Sequence, residues 1–378
     1  MRAHAPVSAE LNRPLLRQSR SNPARVAWVL IAALIAMLAS SAVSAALQDE
    51  VFGDGFDGFD LSVCDASLAS NSAVAAEYAA ALDVCQTTTE SAHSAGLISA
   101  SFTLADNTGT PAAISHSIRP AFGTNNVPRY GSALVVLSTG AAAAPAQTNP
   151  SFVAFQEGAN NGKQSLPPSD WFTAHNNTYP APPGCPAASG IATVDPVMLT
   201  LRLRVPSNAR SFSLDANLFI ADFPEFICSS FNDFFVALLD SSFAGNPANP
   251  ADKNLANYIG FPLNASLAYA NTGLFTQCVN GTIGCEQGAI AGTITTCTGT
   301  TGLVGTGMDT ADTTCNPGGG MVGGGTGWLV MRGNVVPGET IQLRLAIWDI
   351  GDFRYDSLIL LDHLRWSYSN VTPGLTLN

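Results

Sequence analysis

Lysine is nearly missing from this 378-residue chain: Lys163 and Lys253 are the only two, and charged residues of all kinds make up 12%. So thin a supply of charge is low for a helical protein. It leaves no Lys/Arg cluster after the first 25 residues, and without one a polyanion such as nucleic acid has nothing to hold. Histidine is equally scarce. His93, His116, His175 and His363, with His4 near the start, are scattered, and none stands beside an obvious Ser or Cys partner. The chain has no Gly-x-Ser-x-Gly elbow and no His-Glu-x-x-His pair, which excludes the commonest hydrolase and zinc-peptidase signatures. It also has no Cys-x-x-Cys pair, so a zinc site of that type is excluded. The Gly323 to Gly327 run is not a phosphate loop, because no Lys-Ser/Thr follows and a strand comes next.

What is present begins with an export signal. Arg2, Arg13, Arg17, Arg20 and Arg25 stand against the single acid Glu10, and an apolar run follows from Val26 to Leu38. Val43-Ser44-Ala45 or Ser44-Ala45-Ala46 then offers the small-x-small pattern of a cleavage site, so residues 1–45 read as a secretory signal peptide. No later stretch is long and apolar enough to span a membrane. Cleavage removes five of 16 basic residues and one of 28 acidic ones, which takes the formal charge from −12 to −16. A chain this acidic favours divalent cations as small partners.

All eight cysteines, at 64, 85, 185, 228, 278, 285, 297 and 315, follow the signal. An even number in an exported chain predicts disulfides. Pairing neighbours gives Cys64 with Cys85, Cys278 with Cys285 and Cys297 with Cys315, leaving Cys185 with Cys228.

Abundant Gly, Pro, Thr, Ser and Asn point to β structure. Residues 46–63 read as an acidic linker whose Asp54-Gly-Phe-Asp57-Gly-Phe-Asp60 repeat lacks the spacing of an EF-hand. Residues 64–95 read as a disulfide-tied helical segment. Its helix is expected over about Ser72 to Val84, with Asn71 as N-cap and Val74, Tyr78, Leu82 and Cys85 on one face. Residues 96–370 form the main domain, with loop-rich insertions at 141–187 and 275–327. Leu199, Leu201, Leu203 and Val205 alternate with polar residues, as do Phe212, Leu214, Ala216 and Leu218. Phe234, Val236 and Leu238 follow, and later Ile341, Leu343, Leu345 and Ile347. The run from Leu358 to Trp366 is apolar on both faces and so central. The expected fold is a mostly β, jelly-roll-like antiparallel sandwich with one short N-terminal helix and long disulfide-braced loops.

Carboxylates bunch at strand ends. Asp222 and Glu225 follow one strand, Asn232 and Asp233 open the next, and Asp349, Asp352 and Asp356 join the last two. If these loops meet, their oxygens make a candidate Ca²⁺ site, since calcium takes six to eight oxygen ligands with tolerant geometry. The same residues can instead cap turns and pair with Arg354, Arg344 or Arg332. A glycosidase also needs paired carboxylates, one of them in an apolar pocket.

Two blocks carry a family resemblance. "SFSLDANLFIADFPEFICSSFNDFFVALLD" (211–240) joins a strand, an acidic Pro-Glu-Phe turn and Phe-Asn-Asp. "GGGTGWLVMRGNVVPGETIQLRLAIWDIGDFRYDSLILLDHLRW" (323–366) supplies a proline-glycine strand, Asp-x-Gly-Asp and Tyr-Asp-Ser. Together, over roughly residues 195–366, they resemble the choice-of-anchor L family of bacterial surface proteins. That resemblance implies an extracellular β-sandwich without an established enzymatic activity, and it names no ligand. The C-terminal end, Thr-Pro-Gly-Leu-Thr-Leu-Asn378, departs from the family's anchoring signals.

The expected protein is therefore a secreted or cell-surface binding or structural module of the adhesion type, Ca²⁺-stabilised at its acidic end and contacting a glycan or a surface protein. The alternatives are a secreted glycan-acting hydrolase using Glu225 with Asp233, Asp352 or Asp356, and self-assembling surface material. N-terminal sequencing of the exported protein is expected to read from Ala46 or Leu47; a chain that retains Val26 to Leu38 would contradict the signal-peptide reading.

Overall fold

In the computed structural model, residues 64–286 and 290–377 are described. The signal peptide, the acidic linker and the Asp54 to Asp60 repeat lie outside them. Alternating segments form strands β1 (Gly96–Thr103), β2 (His116–Arg119), β3 (Leu134–Ser138), β4 (Thr193–Arg204), β5 (Ser211–Ile220), β6 (Phe234–Asp240), β7 (Phe261–Asn264), β8 (Leu329–Asn334), β9 (Thr340–Asp349), β10 (Ser357–Ser367) and β11 (Gly374–Leu377). They build two seven-stranded sheets. One runs β1-β4-β9-β6-β7 and ends on Asn257–Tyr258, with Gln164–Ser165 added beside β4. The other runs β11-β8-β5-β10-β3-β2, with Gly324–Gly325 added beside β5. The ladders within both sheets are antiparallel, so the chain is an antiparallel β-sandwich. β11 extends the second sheet past residue 370.

The alternation explains the layering. Leu199, Leu201 and Leu203 of β4, Leu343, Leu345 and Ile347 of β9, and Phe235, Ala237 and Leu239 of β6 face Leu214 and Leu218 of β5 and Ile359 and Leu361 of β10 across one buried core. Side chains at every second position thus share the inter-sheet space. The opposite faces are also buried. On the first sheet, Phe234, Val236 and Leu238 pack with Trp348, Trp171, Phe172 and Tyr179. Trp171 and Phe172 belong to a helix, Ser169–Ala174, inside the insertion read as a loop from sequence. Arg344 clamps that helix by donating to Asp170 Oδ1 at 3.1 Å and Oδ2 at 2.6 Å. On the second sheet, Phe219, Leu358 and Leu360 are covered by Phe122, Leu303 and Met308. The two insertions are therefore lids on outer sheet faces that apolar residues on both strand parities require.

The N-terminal helix is shorter than expected, Ala75–Ala81. The N–H of Val74 goes to the Ser72 hydroxyl at 3.0 Å, so the chain is still turning where the helix was expected to start. Asp83 at φ 69° ends it. Tyr78 and Leu82 enter the main core, whereas Val74, expected on their face, is exposed.

All eight cysteines form disulfides: Cys64–Cys85, Cys185–Cys228, Cys278–Cys297 and Cys285–Cys315. The first two pairs are those expected. The other two correct the neighbour pairing of Cys278 with Cys285 and Cys297 with Cys315. Residues 281–283 pair with 292–294 as a hairpin, with Gly281 opposite Ile294. Three residues further out on each arm stand Cys278 and Cys297, which the hairpin register brings face to face. Cys285, on the other side of that strand, is left to reach Cys315.

Replacing Cys64 and Cys85 together by Ser should cost about 3 kcal/mol, the loop-closure value for a crosslink of this span. Urea unfolding of the double variant measures it, and an unchanged midpoint would show that the Tyr78 and Leu82 packing alone holds the helix.

Candidate functional site

The strand registers bring the acidic loops together. In the first sheet the last β6–β9 pair is Phe234 with Trp348, so Asp233 and Asp349 stand opposite each other one step further on. Both continue the parity of Phe235 and Ile347, which face the inter-sheet core. In the second sheet Ile220 pairs with Ser357, and the Ala221 N–H donates to the Asp356 carbonyl at 3.3 Å. That places Asp222 and Asp356 at the same end. The aliphatic core thus terminates in a layer of carboxylates.

These side chains are withdrawn from solvent. Asp222, Asp233, Asp349 and Asp356 are each no more than 4% exposed, and Asp352 is half-buried at their edge. The arginines named as alternative partners are elsewhere. Arg344 is engaged by Asp170 and Asp240, and Arg332 donates to the Thr376 hydroxyl. Arg354 is the exception: its backbone N–H donates to Asp352 at 2.9 Å and its charge acts on Asp352.

Burial raises every carboxyl in the group, and Arg354 works against the rise at Asp352. Asp222 is raised well above the carboxylate range by burial and then by the charges of Asp233, Asp352, Asp356 and Glu225. Asp349 is raised by burial and by Asp233. Asp356 is raised by burial, against the Ala159 N–H that donates to its Oδ2 at 3.0 Å. Asp233 is raised by burial, although the Asp349 carboxyl and the Ser357 hydroxyl face it. With both carboxyls ionised, neither oxygen of Asp233 receives a well-formed hydrogen bond, and Asp222 Oδ2 also lacks one. Bare buried carboxylates are strongly unfavourable, so this layer must take up protons or a cation.

Glu225 reaches Asp222 by its charge, but its nearest carboxyl partner lies elsewhere. It faces Asp312 and Glu286, and burial followed by Asp312 pushes it up to about 7. Asp312 accepts the N–H groups of Thr314 at 2.7 Å and Cys315 at 3.1 Å. Glu225 therefore belongs to a second carboxyl pair, joined to the Cys285–Cys315 loop.

Asp195 was missed in the sequence. Its charge acts on Asp356, and it accepts the N–H groups of Asn161 at 3.0 Å and Lys163 at 3.1 Å. The segment 158–163 is thereby strapped across this end. Gly158 allows the close approach: a Cβ there would lie 2.2 Å from the Phe353 carbonyl. Asp195 gives no signal by itself, since only the pairing of Asp349 with Val194 reveals its position.

Among the described residues, no three His, Cys, Asp or Glu side chains stand ready as a preformed metal site. As a hydrolytic site the group is poorly placed, because four of the five carboxyls are too buried to reach a glycan. No protein-family model, curated protein or solved structure matches the chain.

The direction of these shifts fixes a pH dependence. A carboxyl whose folded pKa lies above its unfolded value contributes stability that is whole below the unfolded pKa, about 4, and is lost as pH rises through the folded value. In chelator, the melting temperature should therefore fall between about pH 5 and about pH 7.5. The Asp349→Asn variant should fall less steeply over the same range, and equal slopes for the two proteins would contradict the assignment.

Proposed function

We propose that this chain is an exported, disulfide-braced binding or structural module of the adhesion type, whose acidic end takes up a divalent cation such as Ca²⁺. The observation that carries the reading is Asp233: a nearly fully buried carboxylate that faces the Asp349 carboxyl and the Ser357 hydroxyl, with no cationic side chain among the described residues acting on it, and that lies near Asp222. Asp222, Asp233 and Asp349 would hold the ion, Asp352 would close the solvent side, and Asp356 would tie it to the 158–163 strap. Bound there, the cation supplies the charge balance that the protein's own arginines do not.

Export is supported by the signal sequence and by four disulfides, which persist in oxidising compartments. No helix among the described residues is long and apolar enough to cross a membrane. The blocks that resemble the choice-of-anchor L family contain Asp222, Asp233, Asp349, Asp352 and Asp356. We read that resemblance in the same way, as membership of a surface-protein group with this carboxylate end at its centre.

Calorimetric titration of the mature protein with Ca²⁺ tests the proposal, together with melting curves in Ca²⁺ and in chelator. Saturating Ca²⁺ at 100 times Kd should add about 2.7 kcal/mol of stability. The Asp233→Asn variant should bind at least tenfold more weakly while melting higher than the parent in chelator. No heat and no change in melting temperature would remove the cation from the protein's function.

A further inference from the structure

The outer face of the second sheet carries a patch of opposite character, further along β5. Asp215 pairs with Val330 on one side and Asp362 on the other, and Ser213 pairs with Arg332 and Arg365. Paired residues share a sheet face, so these rows lie on the side away from Leu214 and Met331, which face the core. A bulge between Asp362 and Arg365 brings in His363, at φ 60°.

Two arginines and a histidine converge there on one carboxylate. Arg129 Nε lies 3.2 Å from Asp215 Oδ2, His363 Nδ1 3.8 Å from the same atom, and Arg365 Nη2 3.8 Å from Oδ1. Asp215 is 3% exposed at its side chain, while Arg129 and Arg365 are 42% and 43% exposed. Asp215 Oδ1 receives no hydrogen bond, because Arg365 stands beyond bonding distance and keeps its donors for the solvent side. The neighbouring Asp362 is fully buried and takes the backbone N–H groups of Arg129 and Tyr130. With Arg332 in the same row, three arginines stand here against two carboxylates, Asp215 and Asp362, on a strongly acidic chain.

Aromatic rings frame the same place. Tyr130 stacks on His363 with ring centroids 5.2 Å apart and planes 12° from parallel, and Arg129 lies over the Trp328 ring at 5.8 Å. Tyr130 remains 37% exposed. Half-exposed ring faces beside unspent guanidinium donors suit a ligand with an apolar ring face and a carboxylate at its edge.

We propose that this patch binds an acidic saccharide, one sugar ring lying on Tyr130 and its carboxylate bridging Arg365 and Arg129. Nucleic acid fits worse, since its dense phosphates meet the field of the whole acidic chain rather than a single patch. The site is separate from the carboxylate end and does not need the cation.

The test is calorimetry on the mature chain, in chelator, with an oligogalacturonate and with a cello-oligosaccharide of equal length as the uncharged control. Binding of the galacturonate alone is expected, weakening as NaCl rises. Arg365→Ala and Tyr130→Ala should each lower affinity about tenfold with melting temperatures unchanged. No heat, equal binding of the neutral sugar, or unaltered affinity in both variants would overturn the proposal. So would light scattering showing that the patch instead joins two copies of the chain, with Arg365→Ala abolishing the dimer and no sugar bound.

Discussion

Both sheets of this sandwich carry apolar residues on both faces, the outer face of the second sheet over part of its area, and the need to cover four faces rather than two shapes the whole chain. The inner pair covers itself: β4, β9 and β6 bury their odd-numbered residues against β5 and β10. The outer pair has only the insertions to cover it. Segments such as 141–187 and 275–327 hold few large apolar residues, so each contributes a small number of them, Trp171 and Phe172 in one and Leu303 and Met308 in the other. Anchors that sparse do little to offset the conformational entropy of long loops. The disulfides make up the difference: Cys185–Cys228 ties the first insertion to the turn after β5, and Cys278–Cys297 and Cys285–Cys315 close the second on itself.

The same covering constraint produces the acidic end. Once the 158–163 strap and the turn after β5 close over the sandwich, the residues at the last step of the inter-sheet parity are sealed in, whatever their chemistry. Here they are Asp222, Asp233 and Asp349. An apolar residue at any of them would extend the core by one more layer. Carboxylates in that position are costly unless neutralised, and with Arg344 and Arg332 engaged elsewhere the layer takes up protons or a cation.

The strands were legible because alternation at positions 199 to 205, 212 to 218 and 341 to 347 is a local property that burial on one face enforces. Register is not local. That Asp233 meets Asp349 depends on Phe234 pairing with Trp348, and that Glu225 leaves the group depends on where the Cys285–Cys315 loop lies. Periodicity around Phe234 showed one buried face but not that Phe235, Ala237 and Leu239 face the other sheet, while Phe234, Val236 and Leu238 are covered by a helix 60 residues away in a segment dominated by Ala, Pro and Asn. Neighbour pairing of cysteines failed where a hairpin intervened and succeeded where none did. The basic patch at Asp215 left no sequence signal because its members, Arg129, Arg332, His363 and Arg365, come from three separate strands and loops.

The most direct test of the cation is a crystal of the mature protein grown with Ca²⁺ replaced by Mn²⁺, read by anomalous scattering. The expected result is a single strong peak within coordination distance of Asp222, Asp233 and Asp349, with the carboxylates drawn closer than they stand without the ion. An empty map would contradict the cation and make this end of the sandwich a layer of protonated carboxyls.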